Sequence, residues 1–81
     1  MTEDVHPYVV YVRDSWVCYL CAAAVDRYAA VPMPLAPTLD HVVPLVNGGA
    51  HTYSNIKTAH FICNSLKRDT PLQEFLTKHG S

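Results

Sequence analysis

Long apolar runs are missing from this 81-residue chain. No stretch reaches the roughly 18 consecutive apolar residues of a membrane-spanning helix, and Met1-Thr2-Glu3-Asp4 has neither the basic start nor the apolar core of a secretory signal. The expectation is a cytoplasmic protein with no membrane partner. An excess of positive charge is missing too: six Lys and Arg stand against seven Asp and Glu, a formal net charge of -1 and a pI near 6.5. No chain-wide field draws the protein to a polyanion, so any such affinity has to be local. The signs divide along the chain, with Lys57, Lys67, Arg68 and Lys78 in the second half and Glu3, Asp4, Asp14, Asp26 and Asp40 in the first. A basic contact surface is therefore expected towards the C-terminus. Cysteine is scarce, and three of them cannot all pair within one chain. Bulk is the last absence, because one domain over residues 1–81 buries too little apolar surface to be comfortably stable without a cross-link or a metal.

What is present favours a folded unit, since 49% hydrophobic and 10% aromatic residues exclude disorder. Pro7 suits a first helical position, and Tyr8 to Arg13 reads as a short helix packing Val9, Val12 and Trp16 inward. Cys18-Tyr19-Leu20-Cys21 reads as a knuckle, so residues 7–21 form a helix-and-knuckle unit. A mobile, proline-rich loop is expected from Val31 to Pro37. Thr38 to Val43 is β-branched enough for a strand stopped by Pro44. Asn47-Gly48-Gly49 signals a turn, and Ala50 to Ser54 prolongs a polar excursion before a second short strand over Ile56 to Ala59. Phe61 to Arg68 has helical spacing. A last helix, within 70–79, is expected to start with Thr70 as N-cap, Pro71 at N1 and Gln73 completing a capping box, and to stop near Gly80.

Two pairs share one spacing, Cys18-x-x-Cys21 and His60-x-x-Cys63. They supply four ligands of the types that close a tetrahedral structural zinc site, the staple that a small chain in a reducing compartment calls for. Thiolates bind as S⁻ and His60 must be neutral, so loading releases protons. The alternatives are small buried cysteines beside a core histidine, or a redox pair, which normally opens a helix in a βαβ setting that this sequence lacks.

The ordered segments Leu39-Asp40-His41-Val42-Val43-Pro44-Leu45, Gly48-Gly49-Ala50-His51, Ser54-Asn55-Ile56 and His60-Phe61-Ile62-Cys63-Asn64-Ser65-Leu66-Lys67 resemble the HNH endonuclease motif. About half the chain is covered directly. The upstream Arg13-Asp14-Ser15-Trp16-Val17-Cys18 resembles zinc-bearing members and extends the likeness over most of it. The resemblance implies an α+β fold: a ββα-metal core over about 38–68, in which a hairpin with an Ω-like loop packs on a helix. It implies that Asp40 ligates a catalytic Mg²⁺ or Mn²⁺, that His41 deprotonates water, and that Asn55 tethers the loop and helps orient His41. Asn64 matches the last motif position, a metal ligand, which makes this an HNN variant. DNA is the implied substrate, and small free-standing members occur in phage and bacterial genomes.

These roles suit the residue types. A neutral imidazole is a competent base near pH 7, and a carboxylate with an amide oxygen offers hard ligands. Lys67 and Arg68, three and four residues after Asn64, are expected to share its helix face and grip flanking phosphates. His51, at a polar loop position, is a candidate substrate contact or a plain turn residue. His6, His79, Tyr8, Tyr11, Trp16 and Tyr28 read as surface or core residues. Neighbours on a strand point to opposite faces, so Asp40 and His41 need a twisted strand end or a bulge to meet one phosphate. The alternative function is a catalytically silent, zinc-stabilised nucleic-acid or protein binding module. A chain this short is expected to act as a monomer or weak dimer, with a protein partner supplying any specificity.

Overall fold

The computed structural model describes residues 2–79, with only the backbone of His79. Its elements run α1 (Pro7–Arg13), β1 (Pro37–His41), β2 (Ile56–His60), α2 (Phe61–Lys67) and α3 (Leu72–His79). This is the α+β arrangement expected from the sequence. The strands pair antiparallel with Pro37 opposite His60 and His41 opposite Ile56. The excursion between them carries two 3₁₀ turns, Leu45–Asn47 and Tyr53–Asn55. No described helix is long and apolar enough to cross a membrane.

α1 starts at Pro7, whose missing N–H costs nothing at a helix start. Its inward face is not the expected one. Val10 is fully buried whereas Val9 and Val12 are about half exposed, because Val10 is the residue that faces β2, where its carbonyl accepts from the Thr58 hydroxyl. The helix ends in left-handed backbone at Ser15 and Trp16. Trp16 then lies half-buried, its ring against Tyr8 and Tyr11 and under the Arg27 guanidinium. Arg13 and Asp14 tie this corner to the sheet. Arg13 donates to the carbonyls of Tyr53 (2.8 Å) and Ile56 (2.6 Å), and Asp14 accepts from the Thr58 N–H (2.8 Å).

The knuckle closes as Cys18 N–H donates to Ala23 and Ala22 N–H to Cys18. Cys18, Val25 and Ala59 form a small buried cluster, flanked by Trp16, Tyr19, Leu20 and Cys63. The proline-rich loop acquires a structural task. The carbonyls of Ala36 and Pro34 accept the Phe61 and Ile62 N–H groups, which the first turn of α2 cannot satisfy internally. β1 stops two residues before the expected Val43, since Val42 and Val43 already belong to the excursion. β2 runs one residue past Ala59, so that His60 lies at the strand–helix junction.

Gly49 is required in the excursion, because a Cβ there would fall on the Val43 carbonyl. Gly48 takes the left-handed turn at φ 88°. α2 ends one residue before the expected Arg68, whose φ of 52° breaks the helix. α3 begins at Leu72, and its first backbone bond runs from Phe75 N–H to Pro71. Neither Thr70 nor Gln73 makes the expected capping-box bond among the described residues. The expected stop near Gly80 lies outside them.

Candidate active site and metal-binding cluster

Cys18, Cys21, His60 and Cys63 converge at the junction of the knuckle, β2 and α2, each ligand atom lying within 4.8 Å of the others. A tetrahedral zinc with bonds of ~2.3 Å sets sulfurs roughly 3.8 Å apart, so the cluster could hold zinc with little adjustment. His60 is already oriented for it. Its Nε2 donates to the Ala24 carbonyl (2.9 Å), which places the lone pair on Nδ1, 3.2 Å from Cys21 Sγ and 3.8 Å from Cys63 Sγ. Burial, and then the neighbouring Cys18 and Cys21, push the Cys63 thiol up to about 12. A cation is the natural compensation for ionising so crowded a set of thiols.

A second constellation lies at the far end of β1, in a cleft of about 380 Å³ lined by Asp40, His41, Asn64 and Arg68 among others. Asp40 and His41 are strand neighbours, yet both line it, because the cleft sits across the strand's last residues where the chain leaves the sheet. No bulge is needed.

Each side chain is held from behind. Asp40 is nearly buried, and its Oδ2 accepts from the Tyr19 hydroxyl and from the Lys67 ammonium at 3.1 Å. Asn64 Nδ2 donates to Thr38 Oγ1 (3.2 Å) and the Leu39 carbonyl (3.1 Å). The Thr38 hydroxyl spends its proton on Ala59, so both neighbours of the Asn64 amide need a donor and its nitrogen must face them. Asp40 Oδ1 and Asn64 Oδ1 make no bond among the described residues. As no described buried side-chain oxygen lacks a partner, both reach solvent, and both residues line the cleft. A carboxylate and an amide oxygen are hard donors fitted to Mg²⁺ or Mn²⁺.

His41 Nε2 lies 3.0 Å from His51 Nδ1. Partial burial, and then His51, hold the His41 imidazole below its usual 6.5, with Asp40 acting in the opposite sense and Lys67 adding to the lowering. The residue therefore stays a neutral base at pH 7. His51 is fixed in turn by its own carbonyl, which accepts from Glu3 N–H (2.8 Å). Asn55 clamps the excursion from inside. Its Oδ1 accepts from Val43 N–H, while its Nδ2 donates to the carbonyls of Val43 and Ala50, all within 2.9–3.0 Å.

Residues 18–70 match the family model for the HNH endonuclease. The chain belongs to the HNH endonuclease family. An HNH domain suggests nuclease activity in general, and HNH nucleases act on DNA. No curated protein matches the chain.

One expectation for this HNH chain has to be corrected. Lys67 does not share an exposed face with Asn64 and cannot grip a phosphate as it stands. Its side chain is fully buried, its ammonium bonded to Asp40 and to the His41 carbonyl at 2.9 Å. An ammonium taken from water needs a charged partner, and Asp40 provides one directly beneath the cleft. Arg68 remains exposed, lines the cleft and makes no side-chain bond among the described residues. Tyr19 went unnoticed in the sequence, where only a residue between two cysteines marks it. Its hydroxyl is pushed well above the ordinary phenol range, by burial first and then by its bond to Asp40, so it stays a donor.

Proposed function

We propose that this protein is a divalent-ion-dependent endonuclease that hydrolyses DNA phosphodiester bonds, the whole chain serving as one HNH nuclease domain. The observation that carries the reading is the cleft itself, which His41 lines together with Asp40 and Asn64, two residues that each keep one oxygen without a bond among the described residues. His51 makes the base specific. With the His41 Nε2 proton directed at His51 Nδ1, the lone pair sits on Nδ1, which takes the proton of the attacking water. The water oxygen bonds to phosphorus as the bond to the 3′ oxygen breaks, and solvent reprotonates that oxygen. A divalent ion held by Asp40 and Asn64 would supply charge stabilisation at the phosphate and the leaving oxygen. His51, which the sequence offers as a substrate contact or a plain turn residue, is thereby a positioning residue for His41, and Asn55 holds the loop that carries it.

Arg68 is the phosphate-gripping cation of the site. Cys18, Cys21, His60 and Cys63 hold a structural zinc that fixes the knuckle to α2. Cysteines that hold zinc rather than pair as disulfides, and a DNA substrate, suit the cytoplasm of a bacterium or of a phage-infected host cell. With a net charge of -1, the protein works as a monomer or weak dimer and leans on a protein partner for specificity.

The test is nicking of supercoiled plasmid by protein carrying one zinc, with added Mg²⁺, added Mn²⁺ or neither. The expected result is nicking only with the added ion, leaving 5′-phosphate and 3′-hydroxyl ends. Zinc content is measured afterwards, so that loss of the staple is not mistaken for loss of the catalytic ion. Folded, zinc-loaded protein that binds DNA but nicks no DNA form would point to a silent binding module instead.

A further inference from the structure

Asp40 is reached by two donors from different parts of the fold, and one of them stands between the cysteines of the metal-binding knuckle. We propose that Tyr19 is a positioning residue for Asp40, so that the knuckle sets the cleft's affinity for its divalent ion. The inference rests on the reading of Asp40 and Asn64 as the ion's ligands.

A carboxylate beside a single ammonium is free to turn about its last torsion and present either oxygen, or both, to that cation. Here the Tyr19 hydroxyl and the Lys67 ammonium meet at the same oxygen, Oδ2. The plane of the carboxylate is thereby fixed with Oδ1 in the cleft. Lys67 comes from α2, the helix that also carries Asn64, whereas Tyr19 comes from the knuckle, whose backbone is bonded to β2 at Thr58.

Tyr19 has little freedom of its own. Its N–H donates to the Thr58 carbonyl at 3.0 Å, its ring packs against the Cys18–Val25–Ala59 cluster, and Cys18 and Cys21 bracket it. A phenol ring is rigid, so displacement of the knuckle is passed to Oδ2 with little loss. The Cys63–Asn64 adjacency already couples the two sites through α2. Tyr19 makes a second and independent coupling through β1, so both oxygens offered to the ion are referenced to the same cluster.

The experiment is Mn²⁺ uptake followed by electron paramagnetic resonance in zinc-loaded wild type, Tyr19→Phe, Asp40→Asn and the control Tyr28→Phe, at a residue that is 92% exposed. Zinc content and melting are measured on each. Wild type and Tyr28→Phe should bind alike, and Asp40→Asn should lose the site. Tyr19→Phe, with zinc retained, should bind about tenfold more weakly, as expected for a lost hydrogen bond to a charged group. Its half-saturating Mn²⁺ for nicking should rise in step, while the rate at saturating Mn²⁺ changes far less. Wild-type uptake that depends on Asp40 but is unchanged in Tyr19→Phe would overturn the proposal and leave the nuclease reading standing. Uptake indifferent to Asp40→Asn would sink that reading and this proposal with it. Should Tyr19→Phe not fold, wild type decides by nuclear magnetic resonance: saturable Mg²⁺ shifts of the Tyr19 ring in step with Asp40 support the link, and a silent Tyr19 refutes it.

Discussion

The Cys/His cluster and the cleft meet at adjacent residues, Cys63 and Asn64, yet they are built by opposite means. In the cluster four ligand atoms face one another within 4.8 Å, and what would bind them together is a cation at their centre. In the cleft no two proposed ligands touch. Asp40 is anchored by Tyr19 and Lys67, Asn64 by Thr38 and Leu39, and His41 by His51. The first is a staple whose ligand atoms crowd one another until a metal joins them. The second is a preorganised surface whose proposed ligands are held by the protein alone. A small domain has use for both, because its apolar core is too slight to hold polar side chains in place.

That contrast can be broken at the cluster first. Replacing Cys63 with Ser, or stripping the metal, should have the largest effect. Structural zinc in small domains is worth about 10–16 kcal/mol of apparent binding energy, more than a chain of this size has to spare. The expected outcome is loss of cooperative melting with zinc absent, read by circular dichroism and metal analysis. A stripped protein that melts as before would make the cluster dispensable.

The next break falls under the cleft. Lys67→Met removes the buried partner of Asp40 and should destabilise by about 3–5 kcal/mol in urea unfolding, because a carboxylate is left uncompensated. An effect below ~1 kcal/mol, the range of a surface ion pair, would mean that Lys67 is solvated after all.

The smallest effect sharpens the comparison at a corner that neither site uses. Burial works against ionised Asp14, but the Arg13 and Thr58 hydrogen bonds outweigh it and hold its carboxyl below the ordinary 3.8. A carboxylate depressed on folding adds stability that is complete above its unfolded value and is lost as pH falls through the folded one. Asp14→Ala should therefore cost about 1–3 kcal/mol at pH 7. Its difference from wild type should shrink below pH 3.8, a convergence that unfolding curves at pH 7 and pH 3 would show or deny.

Much of this was legible in the sequence where chemistry is written in residue type. Two pairs of soft ligands at one spacing announced the cluster, and the resemblance to the HNH motif pointed to Asp40, His41 and Asn64, which share the cleft, while Asn55 lies in the excursion. Glycines and prolines marked the excursion, and strands and helices fell within two residues of their expected bounds. What the sequence hid were partnerships set by packing. Lys67 has the periodicity of an exposed helix face, and only the closeness of α2 to the end of β1 turns it inward. Val10 rather than Val9 faces the sheet because of how a seven-residue helix lands on β2, which periodicity over so few residues cannot resolve. The roles of Tyr19 and His51 depend on contacts made across 21 and 10 residues of chain.

The most direct test of the central claim compares wild type with His41→Ala for plasmid nicking in Mg²⁺ or Mn²⁺, with zinc content and melting taken on the same samples. The account predicts a variant that keeps its zinc and its melting temperature and loses nicking by at least about 100-fold, the usual scale of a general base. Nicking that survives in a folded, zinc-loaded His41→Ala protein would contradict it.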